Sequence, residues 1–453
     1  MEVLKTIFRE YDIRGVYGSE LSDELAYNIG RAFGTKLRRQ NIPATVVAYD
    51  NRLSSVNLEK NLVQGLVDTG IVVKRLGLAT TPMCYFGANY LGTNSSMMIT
   101  ASHNPKEYNG FKFSYNGIHN AYGPAVMEIH DLIEKEDYEN GVGRVEDVDL
   151  REAYIKLICD KLHFGNKRIK VIYDCGNGTG SVIAGDIFKH LPQIDSTGIF
   201  DESDGNFPNH HPDPCVEENL TVLKQKVIES HADCGVGYDG DADRVGFVDE
   251  KGTFIEIDKF LAVMWDYLYD KVDKKECLFD VKCSKTLEDE LNKLGVKPVE
   301  YRTGNSYTRA ASAEGDYPLS GELSGHVYFR DRWPGYDDGI YVGMRLIEML
   351  SNSDRPLSSY LENLEKYYST PEIKVHVDDD KKFGVVDKIR EYCESKNYKF
   401  ITIDGVKVKF DDGFALVRAS NTGPNITMRF ESKSQEKLDQ IKNEFETELN
   451  KYI

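Results

Sequence analysis

Short apolar runs alternate with helical stretches from the first part of this chain onward. Residues 44–50 (ATVVAYD) predict a buried strand. Ser54 or Ser55 can cap a following helix that runs to Gly70, because a glycine commonly stops a helix at its C-terminus. Residues 71–76 predict the next strand. We therefore expect a βαβ unit with parallel strands and a right-handed crossover.

A short predicted strand, residues 97–100, leads directly into a polar loop that contains Ser102. Open α/β sheets bind their ligands outside the carboxyl ends of their strands. The pattern therefore places Ser102 where a ligand is expected.

The alternation continues in two further sets and then changes. After the acidic, glycine-containing stretch 134–149, the predicted elements are strand 169–174, helices 181–191 and 216–230, and strand 234–238. After Gly252 they are strand 277–281, helix 287–294, strand 299–302 and helix 338–350. Past Pro371 we expect strand 372–377, helix 383–395, a hairpin around Asp404-Gly405, two more strands and a final helix.

These changes of pattern predict four domains. Three similar α/β domains are expected at residues 1–148, 149–251 and 252–368, and a smaller α+β domain at 369–453. The length of 453 residues by itself favours about three domains, since one domain usually takes about 100–200 residues.

Composition and charge exclude some classes of partner. Hydrophobic residues make up 40% and charged residues 29%, an ordinary globular balance. With 56 basic and 74 acidic residues the net charge is −18, which argues against nucleic acid or an anionic membrane as the main partner. No apolar run approaches the roughly 18 residues that span a bilayer.

Targeting and redox signals favour the cytoplasm. The first residues, MEVLK, lack the basic start and apolar stretch of a signal peptide. The eight cysteines are scattered and include no Cys-x-x-Cys pair, which is typical of reduced thiols in a cytoplasmic protein.

Two loops far apart in sequence carry the strongest chemical signal. One reads Thr-Ala-Ser-His-Asn-Pro and contains Ser102; the other reads Asp-Gly-Asp-Ala-Asp-Arg and holds Asp239, Asp241, Asp243 and Arg244. Three such close carboxylates repel one another unless a divalent cation binds them, and oxygen ligands suit Mg²⁺ or Ca²⁺. A serine near such a cation and an arginine indicates phosphoryl transfer through the serine.

Each loop also has a plainer interpretation. The aspartates could form an EF-hand, since Glu250 occupies its twelfth position, but the sixth is Arg244 rather than glycine and strands flank the loop. A solvated acidic turn is a second alternative. Ser102 by itself could simply belong to a turn, because neither a Gly-x-Ser-x-Gly elbow nor a Ser-His-Asp triad surrounds it.

Four other segments carry polar chemistry. Residues 176–180 (GNGTG) look like a dinucleotide loop but lack its glycine spacing, which favours a tight strand-to-helix turn. Glu322, Ser324 and His326 alternate, so in extended backbone they would face one side and suit a hydroxyl-rich ligand; a polar strand edge is the alternative. One cluster of further donors is Tyr11 with Arg14. A second cluster contains Arg418, Ser420, Asn421 and Thr422, and it could bind an oxyanion or form a plain polar turn.

Together these segments resemble the α-D-phosphohexomutase family, most closely its bacterial and archaeal phosphomannomutase/phosphoglucomutase branch. The serine loop, the aspartate loop and the Arg-Ala-Ser-Asn-Thr loop occur in the family's order, and residues 204–214 (DGNFPNHHPDP) and 336–340 (YDDGI) are also similar. The resemblance covers residues 8–432. It implies mixed sheets and four domains around a central cleft, each contributing one motif.

The resemblance also implies a reaction and its cofactors. The expected reaction moves a phosphoryl group between O1 and O6 of mannose or glucose phosphates, through phospho-Ser102 and a hexose 1,6-bisphosphate. Mg²⁺ is the implied metal, and hexose 1,6-bisphosphate is the implied activator or primer. The implied metal ligands are Ser102, Asp239, Asp241 and Asp243. The implied catalytic residues are Ser102, Arg244, Lys112, Arg14 and His326.

Substrate binding is implied for residues distributed along the chain. The sugar-binding set is Tyr11, Arg14, Lys282, Thr303, Gly304, Asn305, Glu322, Ser324 and His326. The set for the phosphate that is not transferred is Arg418, Ser420, Asn421 and Thr422. Asn305 departs from the branch, which usually has a histidine there, and an amide cannot act as an acid or base near neutral pH.

Two other functions stay open on the sequence. A metal-dependent sugar phosphatase would use the same serine with water as acceptor. A non-catalytic sugar-phosphate sensor is slightly favoured by Asn305. For all three functions the expected partners are small hexose phosphates, not nucleic acid or membrane, and the expected assembly is a monomer or a weak homodimer.

Overall fold

The computed structural model describes residues 4–115, 117, 119–421 and 423–453. The chain divides into two compact units. The first unit contains the residues up to Glu256 together with Ser324–Tyr360, and the second contains Ile257–Leu323 and Leu361–Ile453. A search of the described residues finds no helix that combines the length and apolarity needed to cross a membrane.

The first unit begins with a mixed sheet. Its strands are β1 (Ile13–Val16), β2 (Ala44–Tyr49), β3 (Val72–Leu78), β4 (Ser96–Ile99), β5 (Tyr108–Ser114) and β6 (Arg144–Asp147). They lie in the order β1-β5-β4-β2-β3-β6. Strand β2 is parallel to β3 and β4, whereas β5 is antiparallel to β4 and β1. The helices of this segment are α1 (Asp23–Arg39), α2 (Ser55–Asp68), α3 (Thr81–Tyr90) and α4 (Pro124–Glu134).

The parallel pairing of β2 with β3 confirms the predicted βαβ unit. Gly70 adopts a left-handed backbone (φ +88°) just after α2, as expected of a stop signal. Ser54 occupies the N-cap position of α2, but its side chain makes no capping hydrogen bond, and the Ser55 hydroxyl donates to Asp50 Oδ1 at 2.6 Å. Instead, the Ser54 hydroxyl accepts a hydrogen bond from the Asn109 amide at 2.8 Å, so tertiary contact replaces the local one.

A second mixed sheet follows in the same unit. Its strands are β7 (Ile169–Asp174), β8 (Ile194–Ile199), β9 (Cys234–Tyr238), β10 (Val245–Asp249) and β11 (Phe254–Ile255), in the order β11-β10-β9-β7-β8. Its helices are α5 (Arg151–Asp160), α6 (Ala184–Lys189) and α7 (Thr221–Ser230). Helices α6 and α7 are shorter than predicted, because 3₁₀ turns at Thr179–Val182 and Glu217–Leu220 precede them.

The next segment of the chain starts the second unit. Its elements are α8 (Ile257–Leu268), β12 (Glu276–Asp280), α9 (Lys285–Leu294), β13 (Lys297–Tyr301), α10 (Asn305–Glu314) and β14 (Leu319–Gly321). Strand β12 pairs in parallel with both β13 and β14. The chain then returns to the first unit with β15 (Val327–Phe329) and α11 (Gly339–Ser351), and α12 (Leu357–Leu361) follows.

The C-terminal part of the second unit is an antiparallel sheet with two helices. Its elements are β16 (Tyr368–Ser369), β17 (Ile373–His376), α13 (Lys382–Ser395), β18 (Phe400–Ile401), β19 (Val406–Phe410), β20 (Gly413–Ala419), β21 (Asn425–Ser432) and α14 (Gln435–Leu449). Ile389 of α13 and Phe445 of α14 pack with Val417 and Phe430 of the sheet in one buried core. The α/β fold class with mixed sheets and a smaller C-terminal α+β part is confirmed.

Candidate active site

Ser102 lies just after β4 and points toward the aspartate loop. Its hydroxyl donates a hydrogen bond to Asp239 Oδ2 at 2.7 Å, and its own N–H donates to Thr100 Oγ1 at 2.9 Å. The residue is buried and has a left-handed φ of +51°. His103 Nδ1 is 3.4 Å from the Ser102 hydroxyl, so it is close enough to support the loop. The structure thus brings together the two loops that the sequence separates by more than a hundred residues.

The three aspartates of the second loop form a compact, buried group. They follow β9 and precede β10, and one carboxylate oxygen from each lies within 4.8 Å of the others. Among the described residues, no donor gives a hydrogen bond to Asp241 Oδ1 or Asp243 Oδ1. Buried carboxylate oxygens that accept no hydrogen bond from the described residues suit a hard divalent cation, so the donor set fits Mg²⁺.

Lys112 of β5 neutralises the outer side of this group. Its Nζ lies 2.8 Å from Asp241 Oδ2 and 2.6 Å from Asp243 Oδ2, and the Thr81 hydroxyl donates to Asp241 Oδ2 at 2.6 Å. Burial alone would lower the pKa of Lys112, but the two carboxylates raise it well above its ordinary value. The ammonium therefore stays charged and pairs with Oδ2 of Asp241 and of Asp243. The Oδ1 atoms of both residues remain available to a cation.

Electrostatics within the trio also favour a cation. Burial and the neighbouring carboxylates raise the pKa of Asp239 and of Asp243. Burial acts in the same direction on Asp241, but Lys112 outweighs it and the pKa of Asp241 falls below its ordinary value. A divalent ion would relieve the repulsion that raises the first two pKa values.

Arg244 and His326 form a hydrogen-bonded chain beside the trio. Arg244 Nε donates to His326 Nε2 at 3.0 Å, and the Arg244 backbone N–H donates to Asp239 Oδ1 at 3.1 Å. His326 Nδ1 lies 2.7 Å from Asp337 Oδ2. Because Nε2 accepts a hydrogen bond from the guanidinium, Nδ1 carries the ring proton and donates a hydrogen bond to Asp337. His326 therefore orients Arg244 in this arrangement.

Arg14 approaches the serine loop from β1. Its Nη1 donates to Asn104 Oδ1 at 2.9 Å, and its Nη2 pairs with Asp12 Oδ2 at 2.5 Å. Tyr11 lies in a bend just before β1. The predicted N-terminal cation therefore reaches the loop that carries Ser102.

Further predicted residues cluster within the second unit. Lys282 Nζ lies 2.9 Å from Glu372 Oε1 and is buried; burial would lower its pKa, but Glu372 raises it. The Thr303 hydroxyl donates to Asp280 Oδ2 at 2.9 Å. Gly304 has φ +139° and immediately precedes α10, and Asn305 is the first residue of that helix.

The prediction for residues 322–326 is wrong in its geometry. These residues form a turn between β14 and β15, and Gly325 has φ +98°. Glu322, Ser324 and His326 therefore do not alternate along an extended strand. The glycine adopts a left-handed conformation that an extended strand does not contain, and this outweighs the alternating polar pattern.

The candidate oxyanion loop follows β20 in the second unit. Arg418 Nε donates to Asp404 Oδ2 at 2.9 Å, and the Ser420 N–H donates to the Asn425 carbonyl at 2.8 Å. Buried Lys382 donates to the Ser420 carbonyl at 2.6 Å and so supports the loop from α13. Asn421 lies in the bend that follows, and Thr422 is outside the described residues.

Two alternative readings of the motifs are resolved by contacts. Glu250, which would be the last ligand of an EF-hand, instead accepts hydrogen bonds from Ser358 N at 3.1 Å and Ser358 Oγ at 2.5 Å. Strands rather than helices also flank the aspartate loop. The glycine-rich segment after β7 is a tight turn in which the Thr179 N–H donates to the Gly240 carbonyl at 2.9 Å. It therefore supports the backbone of the aspartate loop.

Sequence reasoning missed several residues that contact the predicted ones within each unit. Those are Arg52 behind the serine loop, Thr81 and Asp337 around the trio, and Lys382 in the second unit. Arg52 had a usable signal, because it follows a predicted strand at the same sheet edge as Ser102. Asp337 also had a signal, because it lies in the segment 336–340 that carries part of the family resemblance. Thr81 and Lys382 carry no motif that distinguishes them before the fold is known.

Comparison with known proteins matches most of the chain. Family descriptions of phosphoglucomutase/phosphomannomutase match it in four segments: alpha/beta/alpha domain I at residues 5–140, domain II at 152–252, domain III at 256–368, and the C-terminal domain at 372–448. The matched segments follow one another along the chain in that order.

Individual relatives agree. A phosphomannomutase/phosphoglucomutase of Pseudomonas aeruginosa is 41% identical and covers 98% of this chain and 95% of the relative. A phosphoglucomutase of Neisseria gonorrhoeae is 39% identical over 98% of this chain and 96% of its own length. The crystal structure of a phosphoglucomutase/phosphomannomutase family protein from Burkholderia thailandensis has a TM-score of 0.92 and 36% identity, covering 100% of this chain and 98% of that one. The chain belongs to the phosphoglucomutase/phosphomannomutase family.

Proposed function

We propose that this enzyme moves a phosphoryl group between O1 and O6 of mannose and glucose phosphates. The carrying observation is the hydrogen bond of 2.7 Å from the Ser102 hydroxyl to Asp239, within a buried carboxylate trio. A hydroxyl in this position can carry a phosphoryl group whose charge is balanced nearby.

The proposed metal is Mg²⁺. Asp239, Asp241 and Asp243 would hold it together with an oxygen of phosphorylated Ser102. When bound, the ion neutralises charge on the transferring phosphoryl group. The carboxylate oxygens that accept no hydrogen bond from the described residues support this assignment.

The reaction consists of two transfers through one serine. Phospho-Ser102 donates its phosphoryl group to the free hydroxyl of a hexose monophosphate and yields a 1,6-bisphosphate. The intermediate then turns over, and its other phosphoryl group returns to the Ser102 oxygen. Hexose 1,6-bisphosphate serves as primer because it phosphorylates any enzyme that has lost the group.

The protein side chains divide the remaining work. Arg244, held by His326, stabilises charge on the phosphoryl group during its transfer. Lys112 and Arg14 position the attacking hydroxyl or assist its proton transfer. These roles are supported by contacts with the trio and with the serine loop.

The other predicted residues are proposed to recognise the substrate. Sugar hydroxyls are assigned to Tyr11, Lys282, Thr303, Gly304, Asn305, Glu322 and Ser324. His326, also expected from the resemblance to bind sugar, is assigned to Arg244 instead, because both of its ring nitrogens have protein partners. A substrate phosphate is assigned to Arg418, Ser420, Asn421 and Thr422. Asn305 is given a binding role only, since its amide does not exchange protons near neutral pH.

The test is Ser102→Ala in a coupled assay with mannose 1-phosphate or glucose 1-phosphate, Mg²⁺ and glucose 1,6-bisphosphate. Turnover should disappear while the fold persists, because alanine cannot carry the group. Ser351→Ala is the matched control, since Ser351 is also buried and its hydroxyl donates to the Glu348 carbonyl and accepts from the Gly165 N–H at 2.9 Å, outside the serine and aspartate loops. Full activity of Ser102→Ala would reject the serine as carrier.

The same assay separates the alternatives. Phosphate release without isomerisation would instead identify a phosphatase. A wild-type protein that never carries phosphate on Ser102 and never turns over would identify a sensor. Neither outcome is expected, since the curated relatives are named as mutases and Asn305 is a single departure from the branch.

We also propose a cytoplasmic location and the domain limits 1–148, 149–251, 252–368 and 369–453. All eight cysteines are thiols, and no disulfide joins any part of the described chain. This supports a reducing compartment.

A further inference from the structure

Arg52 lies behind the serine loop with its side chain 0% exposed. Its Nε donates to Asp50 Oδ2 at 3.1 Å. Its two Nη atoms donate to four backbone carbonyls of a single loop, at 2.6 to 3.0 Å, namely those of Ser102, Asn104, Pro105 and Tyr108. The guanidinium therefore sits at the centre of the loop that presents Ser102.

The number of donors matches the number of acceptors. A guanidinium carries five N–H donors in a fixed plane, and each of the five is used here. A lysine ammonium has only three donors and lacks the planar fork, so it cannot satisfy all these oxygens. The Asp50 carboxylate balances the buried charge, and its Oδ1 also accepts from the Arg52 backbone N–H at 3.0 Å. One side chain thus satisfies four carbonyls of this loop.

Ser102 needs such support because its backbone is left-handed. A φ of +51° is disfavoured for a residue with a Cβ. Arg52 Nη2 holds the Ser102 carbonyl at 2.8 Å, while Thr100 Oγ1 holds its N–H at 2.9 Å. With both sides of the residue fixed, the direction of its Cα–Cβ bond is fixed as well. That direction brings the hydroxyl to 2.7 Å from Asp239.

We infer that Arg52 is a positioning residue for phosphoryl transfer: it holds the Ser102 loop so that Oγ stays aligned with the aspartate trio. Arg52 acts through the loop backbone, and its donors are all used by protein acceptors. The inference rests on the proposed role of Ser102 as phosphoryl carrier.

The experiment is Arg52→Lys, which keeps the charge and most of the volume. We expect kcat to fall on the order of 10²-fold, the scale of a misplacement of about 1 Å at the reacting atom. KM for the hexose phosphate should stay unchanged, because substrate contacts are intact. The rate at which glucose 1,6-bisphosphate phosphorylates Ser102 in a single turnover, followed by intact-protein mass spectrometry, should fall by the same factor.

The matched control is Arg345→Lys. Arg345 is also 0% exposed and donates to both carboxylate oxygens of Asp331 at 2.8 Å, but its partners lie outside the serine loop. It should lower thermal stability and leave kcat near that of the wild type. If Arg52→Lys lowers kcat no more than Arg345→Lys does, the inference is overturned. A fall in both kcat and single-turnover phosphorylation that is confined to Arg52→Lys supports it.

Ser102→Ala separates this inference from the function on which it rests. An inactive Ser102→Ala together with a fully active Arg52→Lys removes only the role of Arg52. A fully active Ser102→Ala removes the proposed carrier itself. Should Arg52→Lys fail to fold, a crystal structure of the wild-type protein decides: Nη atoms within hydrogen-bond distance of the four carbonyls support the inference, and a guanidinium turned away from them overturns it.

Discussion

Replacement of Lys112 by methionine tests the electrostatic balance of the site most directly. The change preserves length and apolar volume and removes only the ammonium. In the wild type that ammonium lies 2.8 Å from Asp241 and 2.6 Å from Asp243, and both carboxylates are 0% exposed. Without it, the buried carboxylates of Asp241 and Asp243 lose their ion-pair partner.

The expected cost follows from this burial. Removing one partner of a buried ion pair typically destabilises a protein by about 3–5 kcal/mol, because the remaining charge is left uncompensated. In the presence of a chelator, the free energy of unfolding of the first unit should therefore fall by about that amount. Mg²⁺ should restore part of the loss. A ligand that binds only the folded state adds about 2.7 kcal/mol at 100 times its dissociation constant.

The assay is urea unfolding followed by tryptophan fluorescence, with EDTA or with excess Mg²⁺. The chain has two tryptophans, buried Trp265 in the second unit and buried Trp333 in the first. In a Trp265→Phe background, Trp333 reports on the first unit alone. The Mg²⁺-induced gain in unfolding free energy should be larger for Lys112→Met than for the parent, because the ion there replaces the missing ammonium.

Lys407→Met is the control for this assay. Lys407 is buried and pairs with Glu300 at 2.7 Å in the second unit, and neither residue belongs to a cluster of metal-ligating side chains found among the described residues. The loss of unfolding free energy caused by Lys407→Met is read from Trp265 in a Trp333→Phe background. This loss should be insensitive to Mg²⁺. The reasoning is refuted if Lys112→Met costs less than about 1 kcal/mol in EDTA, or if Mg²⁺ stabilises parent and variant equally.

Three further predictions concern single side chains. Arg244→Ala should lower kcat on the order of 10²–10⁴-fold in steady-state kinetics, because charge stabilisation of the moving phosphoryl group is lost, and an effect on KM alone would contradict this. Arg418→Ala should chiefly raise KM for the hexose phosphate, and unchanged saturation would exclude it from phosphate binding. Burial raises the pKa of Asp338 to about 7, above its ordinary unfolded value, so the stability it contributes is present below about pH 4 and lost as the pH rises through 7. Urea titrations should show this loss, up to about 4 kcal/mol, in the wild type and not in Asp338→Asn; parallel pH profiles would disprove it.

The sequence determined the local elements and the chemistry of its two strongest loops. Strands Ile169–Asp174 and Cys234–Tyr238 form where the apolar runs predict them, because a buried strand needs only a short run of apolar, β-favouring residues. The spacing of Asp239, Asp241 and Asp243 indicated a cation site before any geometry was known. Ser102 was recognisable for a similar reason, since it follows directly after a predicted strand.

Local predictions failed where a glycine or a distant residue set the conformation. The alternating residues 322–326 looked extended, yet Gly325 makes them a turn. Ser54 looked like a helix cap, yet its hydroxyl is taken by Asn109. In both places a single contact or backbone angle outweighed the local pattern.

Only the tertiary structure decided which distant groups meet. It placed Lys112 against Asp241 and Asp243, Asp337 against His326, and Arg52 inside the loop of Ser102. An isolated lysine, aspartate or arginine looks the same in sequence whether it is solvated or buried. Its partner is selected by the requirement that a buried charge or carbonyl be satisfied, and that requirement exists only once the chain has folded.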